Sequence, residues 1–162
     1  MRVMCVLLMS VLLAGADGFV LKVSPGSYSR EEGLLLRADT EQGSKYLRAS
    51  ASSYVRRENP EVIQKIMKQL REIGLTDEDA KLMDRLSQSI GPVQYELSYQ
   101  VKGKEKVYRF EKRMGEDGYM EYFRKASQIG GPYYGVDEQK VRLMVEKLRK
   151  VNEWLDPLVR GR

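Results

Sequence analysis

Val93-Gln94-Tyr95-Glu96-Leu97-Ser98-Tyr99-Gln100-Val101 alternates without a break, apolar or aromatic at every odd position and polar at every even one. After Lys102-Gly103-Lys104-Glu105 comes Lys106-Val107-Tyr108-Arg109-Phe110-Glu111-Lys112-Arg113-Met114, with Tyr108, Phe110 and Met114 on even positions. Side chains on a strand repeat every two residues, so the apolar set of the first arm shares one face. A loop of even length pairs odd positions of one arm with even positions of the other. The two apolar faces then coincide, and 93–114 is expected to be a hairpin with one oily face that other elements must cover.

The segments on either side have the pattern to cover it. Asn59-Pro60 places an N-cap before a proline at the first helical position, where a missing N–H costs nothing. Val62, Ile63, Ile66, Met67, Leu70 and Ile73 follow at helical spacing, and Gly74 suits the left-handed residue that ends a helix. Thr76 then caps a second helix, with Asp77, Glu78 and Asp79 at the positive end of its dipole. Its stripe is Ala80, Leu82, Met83, Leu86 and Ile90, and Gly91-Pro92 stops it. Beyond the hairpin, Asp117 is expected to cap a short helix carrying Tyr119, Met120, Tyr122, Phe123 and Ala126. Asp137 is expected to cap the longest one. Val141, Met144, Val145, Leu148, Val151, Leu155 and Leu158 form its stripe, Trp154 lies beside them, and Pro157 marks its end. The fold class read from this order is α+β. An antiparallel sheet, made of the central hairpin 93–114 and a second hairpin over 33–55, packs against four amphipathic helices.

The start of the chain reads as a leader. Arg2 is followed by a run, apolar apart from Ser10, that ends in Ala14-Gly15-Ala16, the small-residue pattern of a secretory signal peptide. The run is about half the roughly 20 residues needed to cross a bilayer as a helix. Cleavage is expected to leave Asp17 at the new N-terminus, with a cut after Gly18 as the alternative, so the leader is 1–16 or 1–18. No later stretch is long enough to span a membrane. The organisation expected is leader 1–18, an extended, β or flexible segment 19–58, and a folded α+β domain 59–162.

Composition narrows the chemistry. The chain is 42% apolar and 31% charged, enough apolar surface to fold. Its net charge of +5 comes from basic residues interleaved with acidic ones, the pattern of a solvated mixed surface. There is no His, and the one Cys is Cys5, inside the leader. Catalysis by Ser-His-Asp or Cys-His needs an imidazole that the chain lacks, and zinc sites need ligands that are missing. No GxGxxG spacing, phosphate loop or EF-hand loop occurs, so no cofactor and no metal are expected.

The candidate ligand-binding residues are Tyr95, Tyr99 and Tyr108 on the inner face of the hairpin, and Tyr133 and Tyr134 in the glycine-tyrosine loop Ile129-Gly130-Gly131-Pro132-Tyr133-Tyr134-Gly135. A phenol offers an apolar ring and a polar tip, which suits either a packed core or a pocket wall. Lys102, Lys104, Lys106, Lys112 and Arg113 make the hairpin basic. Lysines on a strand also guard an edge, and no nucleic-acid partner is expected. The expectation is a small secreted, non-enzymatic binding protein whose partner is a protein or a small apolar ligand held between sheet and helices.

Two resemblances supply alternatives. Lys45-Tyr46-Leu47-Arg48, soon after the leader, resembles the Arg-X-Leu-Arg host-entry motif of secreted pathogen effectors; lysine stands in the first position, and the acidic-arginine partner motif is absent. It implies an effector delivered into a host cell. Phe19 after the leader, with a Ser- and Arg-containing stretch behind it, resembles bipartite plastid targeting in algae with complex plastids. That implies an organelle-targeted accessory subunit, although Glu31, Glu32, Asp39 and Glu41 make the stretch more acidic than such leaders.

Overall fold

The hairpin forms with the parity its sequence requires. Strands β5 (Gln94–Val101) and β6 (Lys104–Glu111) pair antiparallel, with Tyr95 opposite Phe110 and Leu97 opposite Tyr108. Tyr95, Leu97, Tyr99, Tyr108 and Phe110 are all buried on the shared face. The second arm is shorter than expected. The Lys112 N–H makes a last 3.0 Å bond to the Val93 carbonyl, and the chain then turns into a 3-10 turn, Lys112–Gly115. Met114 therefore reaches the core from that turn and not from the strand. β6 itself ends at Glu111, so Met114 lies beyond the ladder.

The computed structural model describes residues 17–25, 33–41, 43–48, 55–56, 58–87, 93–101 and 104–160. Ile90 and Gly91-Pro92, read as the end of the second helix, lie outside them, as does the leader through residue 16. The remaining strands are β1 (Gly18–Ser24), β2 (Leu34–Asp39), β3 (Gly43–Arg48) and the two-residue β4 (Val55–Arg56). All neighbours are antiparallel, in the order β4-β3-β2-β1-β5-β6. β2 and β3 form the second hairpin, Asp39 opposite Gly43. β1 lies between the two hairpins, with Leu21 opposite both Leu36 and Leu97. Strands from both sides of residue 58 thus share one sheet.

Four helices complete the α+β fold: α1 (Pro60–Ile73), α2 (Asp77–Leu86), α3 (Tyr119–Ala126) and α4 (Glu138–Arg160). Asn59 Oδ1 accepts the Val62 N–H at 3.0 Å, and Gly74 adopts φ 66°, ψ 50°, so both ends of α1 are as expected. Thr76 and Asp79 cap α2 reciprocally, the Thr76 Oγ1 accepting from the Asp79 N–H and the Asp79 carboxylate from the Thr76 N–H. α1 packs on β1, β2 and β3, α2 on β6, and α4 on α1, α3 and the 3-10 turn. Phe19, Leu21, Leu36 and Leu97 lie buried on the helix-covered face, while the end of α2 reaches the β6 edge at Arg109. The seven-residue stripe of α4 is buried throughout.

Three details differ from expectation. Val62 is 37% exposed, because Ile63, Ile66, Met67 and Leu70 already fill the inward arc of α1. Asp117 does not cap α3; Gly118 occupies the cap position, with no side-chain bond there, and the turn is closed by the Tyr119 N–H on the Glu116 carbonyl at 3.0 Å. Pro157 lies inside α4, which runs on to Arg160. A proline removes one helical hydrogen bond near a helix end, and the carbonyl it leaves belongs to Glu153, on the exposed side, where water can serve it.

Gly43 makes the sharpest demand for a particular residue. Its φ is +82°, and a Cβ built there would lie 2.1 Å from the Glu58 carbonyl oxygen. The approach is fixed by paired bonds, Ser44 N–H to the Glu58 carbonyl at 3.1 Å and Glu58 N–H to the Ser44 Oγ at 3.0 Å. Gly43→Ala must both enter a left-handed conformation and push backbone aside, so chemical denaturation is expected to show a loss of at least about 2 kcal/mol. A stability equal to wild type would mean that the β3–α1 approach is not as close as described.

Candidate functional site

The inner-face tyrosines are brought together, but as core. Tyr99 and Tyr108 stack with ring centres 5.7 Å apart, and Tyr95 meets Phe110 edge-on at 5.6 Å. The Tyr108 hydroxyl donates to the Leu75 carbonyl at 2.9 Å, and the Tyr95 hydroxyl to Asp156 Oδ1 at 3.2 Å. Burial pushes both the Tyr99 and Tyr108 phenols above their ordinary range, so they stay neutral. The loop tyrosines point apart. Tyr133 is buried, its hydroxyl donating to the Leu86 carbonyl at 3.0 Å, whereas Tyr134 is 59% exposed. Tyr133 belongs to a separate cluster, stacked on Phe123 and edge-on to Tyr122.

That second cluster holds a buried charge. Glu111 is fully enclosed, and the Arg113 Nε donates to its Oε2 at 2.6 Å. The Arg113 guanidinium lies 4.5 Å over the Tyr122 ring, a cation–π contact. Burial first, then the neighbouring Tyr133 and Glu111, push the Tyr119 phenol upward. Removing the arginine from such a carboxylate is the costly way to break a buried pair. The same surroundings give the ion pair its place between the end of β6 and α3.

The carboxylates at the start of α2 are each claimed by a lysine from another element. Asp77 meets Lys106 of β6 at 3.1 Å, Glu78 meets Lys140 of α4, and Asp79 meets Lys147 of α4 at 2.7 Å. They tie α2 to the sheet and to α4 as well as facing its dipole. Burial alone would raise the Asp79 carboxyl; the bonds from Lys147 and Thr76 outweigh it and hold it below its ordinary value.

Among the described residues, a concave site lies over polar strand positions. A groove of about 410 Å³ is lined by the charged side chains Lys22, Asp84, Glu96 and Arg109, with Ser87 and Gln94 among them. Tyr95, alone of the candidate tyrosines, also lines it. Lys22 of β1 stands opposite Glu96 of β5, and Glu96 opposite Arg109 of β6. Arg109 Nε bonds Glu96 Oε2 at 2.8 Å, which raises the guanidinium further. The row alternates in sign across three strands. Asp84 and Ser87 come from α2, and the Ser87 Oγ donates to the Arg109 carbonyl at 3.4 Å. Strand alternation placed Glu96 and Arg109 on the outer face, but joining them to Lys22 needs the strand order, which no local pattern carries.

Comparison with protein-family models and with characterised proteins finds no match to the chain. Among the described residues no helix is long and apolar enough to cross a membrane.

The lowered Asp79 carboxyl has a pH signature. Its charged form is favoured in the folded state, so its contribution is complete above the unfolded value and is lost as pH falls through the lower folded one. Asp79→Asn is expected to be about 1–2 kcal/mol less stable than wild type at pH 7. The gap should close as the pH falls below about 4. Urea denaturation from pH 7 to pH 2 measures it, and a gap that does not change with pH would contradict the ionic assignment.

Proposed function

We propose that the chain is an exported, non-enzymatic binding protein, and that its partner is another protein. The observation that carries this is the Lys22–Glu96–Arg109 row with Asp84 beside it. A groove lined by both signs of charge suits a polypeptide segment that presents an acidic and a basic side chain together. An apolar ligand between sheet and helices is less well supported, because Tyr95, Tyr99 and Tyr108 occupy that layer, two of them with hydroxyls already committed to Asp156 and Leu75. The tetrapeptide Lys45-Tyr46-Leu47-Arg48 runs within β3, between β2 and β4, so no observation favours it as a separate sorting signal.

Export through the leader fits the start of the sheet. The Asp17 carbonyl accepts the Thr40 N–H at 2.9 Å, and its carboxylate pairs with Arg71 at 3.1 Å. Cleavage after Ala16 keeps both bonds; cleavage after Gly18 removes them and the first residue of β1.

The exported protein should therefore begin at Asp17 by N-terminal sequencing. Immobilised, it should capture a protein of its source whose binding weakens roughly tenfold on Lys22→Glu or Glu96→Lys, the scale of a reversed interface charge. Binding should survive Lys65→Glu on the exposed side of α1. Capture indifferent to the groove variants would move the site elsewhere. A melting shift with fatty acids or aromatic compounds, and no such capture, would favour the apolar-ligand reading.

A further inference from the structure

Glu96 and Arg109, in the middle of the groove floor, are committed to each other, Arg109 Nε donating to Glu96 Oε2 at 2.8 Å. Lys22 and Asp84 line the same groove and are exposed, and among the described residues neither makes a hydrogen bond or an ion pair. Ser24 follows Lys22 on the same face of β1, and among the described residues its hydroxyl is uncommitted too.

The two uncommitted charges stand on opposite sides of the groove. Lys22 is on β1 and Arg109 on β6, with β5 between them, so about 10 Å of sheet separates their backbones. Asp84 comes from α2, one turn before Ser87, whose Oγ donates to the Arg109 carbonyl. The end of α2 therefore walls the groove on the β6 side, while Lys22 and Ser24 bound it on the β1 side. Across the floor the order is Lys22, Glu96, Arg109, Asp84, which alternates in sign and ends in one charge of each kind with no partner.

We propose that the groove takes an extended peptide segment lying across the strands, with a carboxylate side chain on Lys22 and Ser24 and a cationic side chain, two residues along the segment, on Asp84. The inference rests on the reading that the partner is a protein, and it names which of the partner's groups go where. The direct contacts fall to the ends of the row because engaging Glu96 or Arg109 means first breaking a pair that already exists. Residues two apart in an extended chain point to the same side about 7 Å apart, and long side chains splay to span the rest of the floor. A free amino acid carries its ammonium and carboxylate on one carbon and is too short to reach both walls. The segment lies over the outer face of the sheet and makes no use of the β6 edge, which the end of α2 already occupies.

The probes are capped peptides, acetyl-Ala-Glu-Ala-Lys-Ala-amide and the same peptide with Glu and Lys exchanged, titrated into the exported protein and followed by amide nitrogen–proton NMR. At least one order is expected to bind in the millimolar range and to shift the amides of Lys22, Ser24 and Asp84. Peptides with two Glu or two Lys should bind about fivefold more weakly, the scale of one exposed ion pair. Lys22→Gln and Asp84→Asn should each cost the mixed peptide about the same factor, and Glu96→Gln less than either. Asp84→Lys, at an exposed helix position, should turn the preference toward the peptide with two Glu. Binding by none of the peptides, equal binding of mixed and like-charge peptides, or an Asp84→Lys protein with unchanged preference would each overturn the assignment. A captured protein that responds to Lys22→Glu and Glu96→Lys but not to Asp84→Lys would keep the protein-partner reading and overturn this one. Peptide binding as expected with no captured protein would do the reverse.

Discussion

Hydrogen bonds from three buried phenol hydroxyls tie the layers of this molecule together. A tyrosine taken out of water must find a hydrogen-bond partner or lose roughly 1–3 kcal/mol. Tyr95, Tyr108 and Tyr133 each find one in a different place: Asp156 on α4, the Leu75 carbonyl between α1 and α2, and the Leu86 carbonyl at the end of α2. Leucine or phenylalanine at those positions would supply burial without direction. The hydroxyls add direction: Tyr95 and Tyr108 tie α4 and the α1–α2 connection to the sheet, and Tyr133 ties the α3–α4 loop to the end of α2. The apolar contacts of α4 with α1 and α3 then close the layer.

Placing every helix on one face has an electrostatic counterpart. Lysines of β6 and α4 meet the three carboxylates at the start of α2, so charge is used within the helical layer as a clamp. On the other face Arg109 pairs with Glu96 across the ladder, and Lys22 stands opposite Glu96 on the next strand. Exposed pairs of this kind contribute little stability, about 0–1 kcal/mol. The alternation of Lys22, Glu96 and Arg109 is therefore what the proposed partner of the groove would read.

Much of this was legible in the sequence because it is local. The parity of the hairpin loop joins two apolar faces whatever the rest of the chain does, and the caps at Asn59, Thr76 and Asp137 rest on side chains reaching two or three residues along. The α4 stripe is a period of one helix. What was not legible is non-local. The short run from Phe19 to Val23 has the composition of many strands, and nothing within it says that β5 and not β6 will be its neighbour. Val62 satisfies the helical period yet faces water, since a stripe fixes an arc and the width of that arc depends on what packs against it. The groove escaped for the same reason. Its residues are the polar halves of three strands that become one row only when β1 is slotted beside β5, whereas the tyrosines drew attention by type, and of them only Tyr95 lines it.

The place of β1 also decides how the parts of the chain depend on one another. It is hydrogen-bonded on both sides, and its partners come from opposite directions along the sequence. The β5–β6 hairpin and the α1–α2 pair need only short loops to form, but pairing Phe19 with Tyr99 closes a long one, and that entropy must be recovered through contacts made together. Phe19, Leu21 and Val23 supply them, each fully or almost fully buried between β2 and β5. Taking β1 away would bare the inner edge of β5 and the apolar face of Leu97 and Tyr99 at once. The early strands are thus the other half of the hairpin's cover, and the sheet is as much a product of the first strand as of the alternating stretch that announces it.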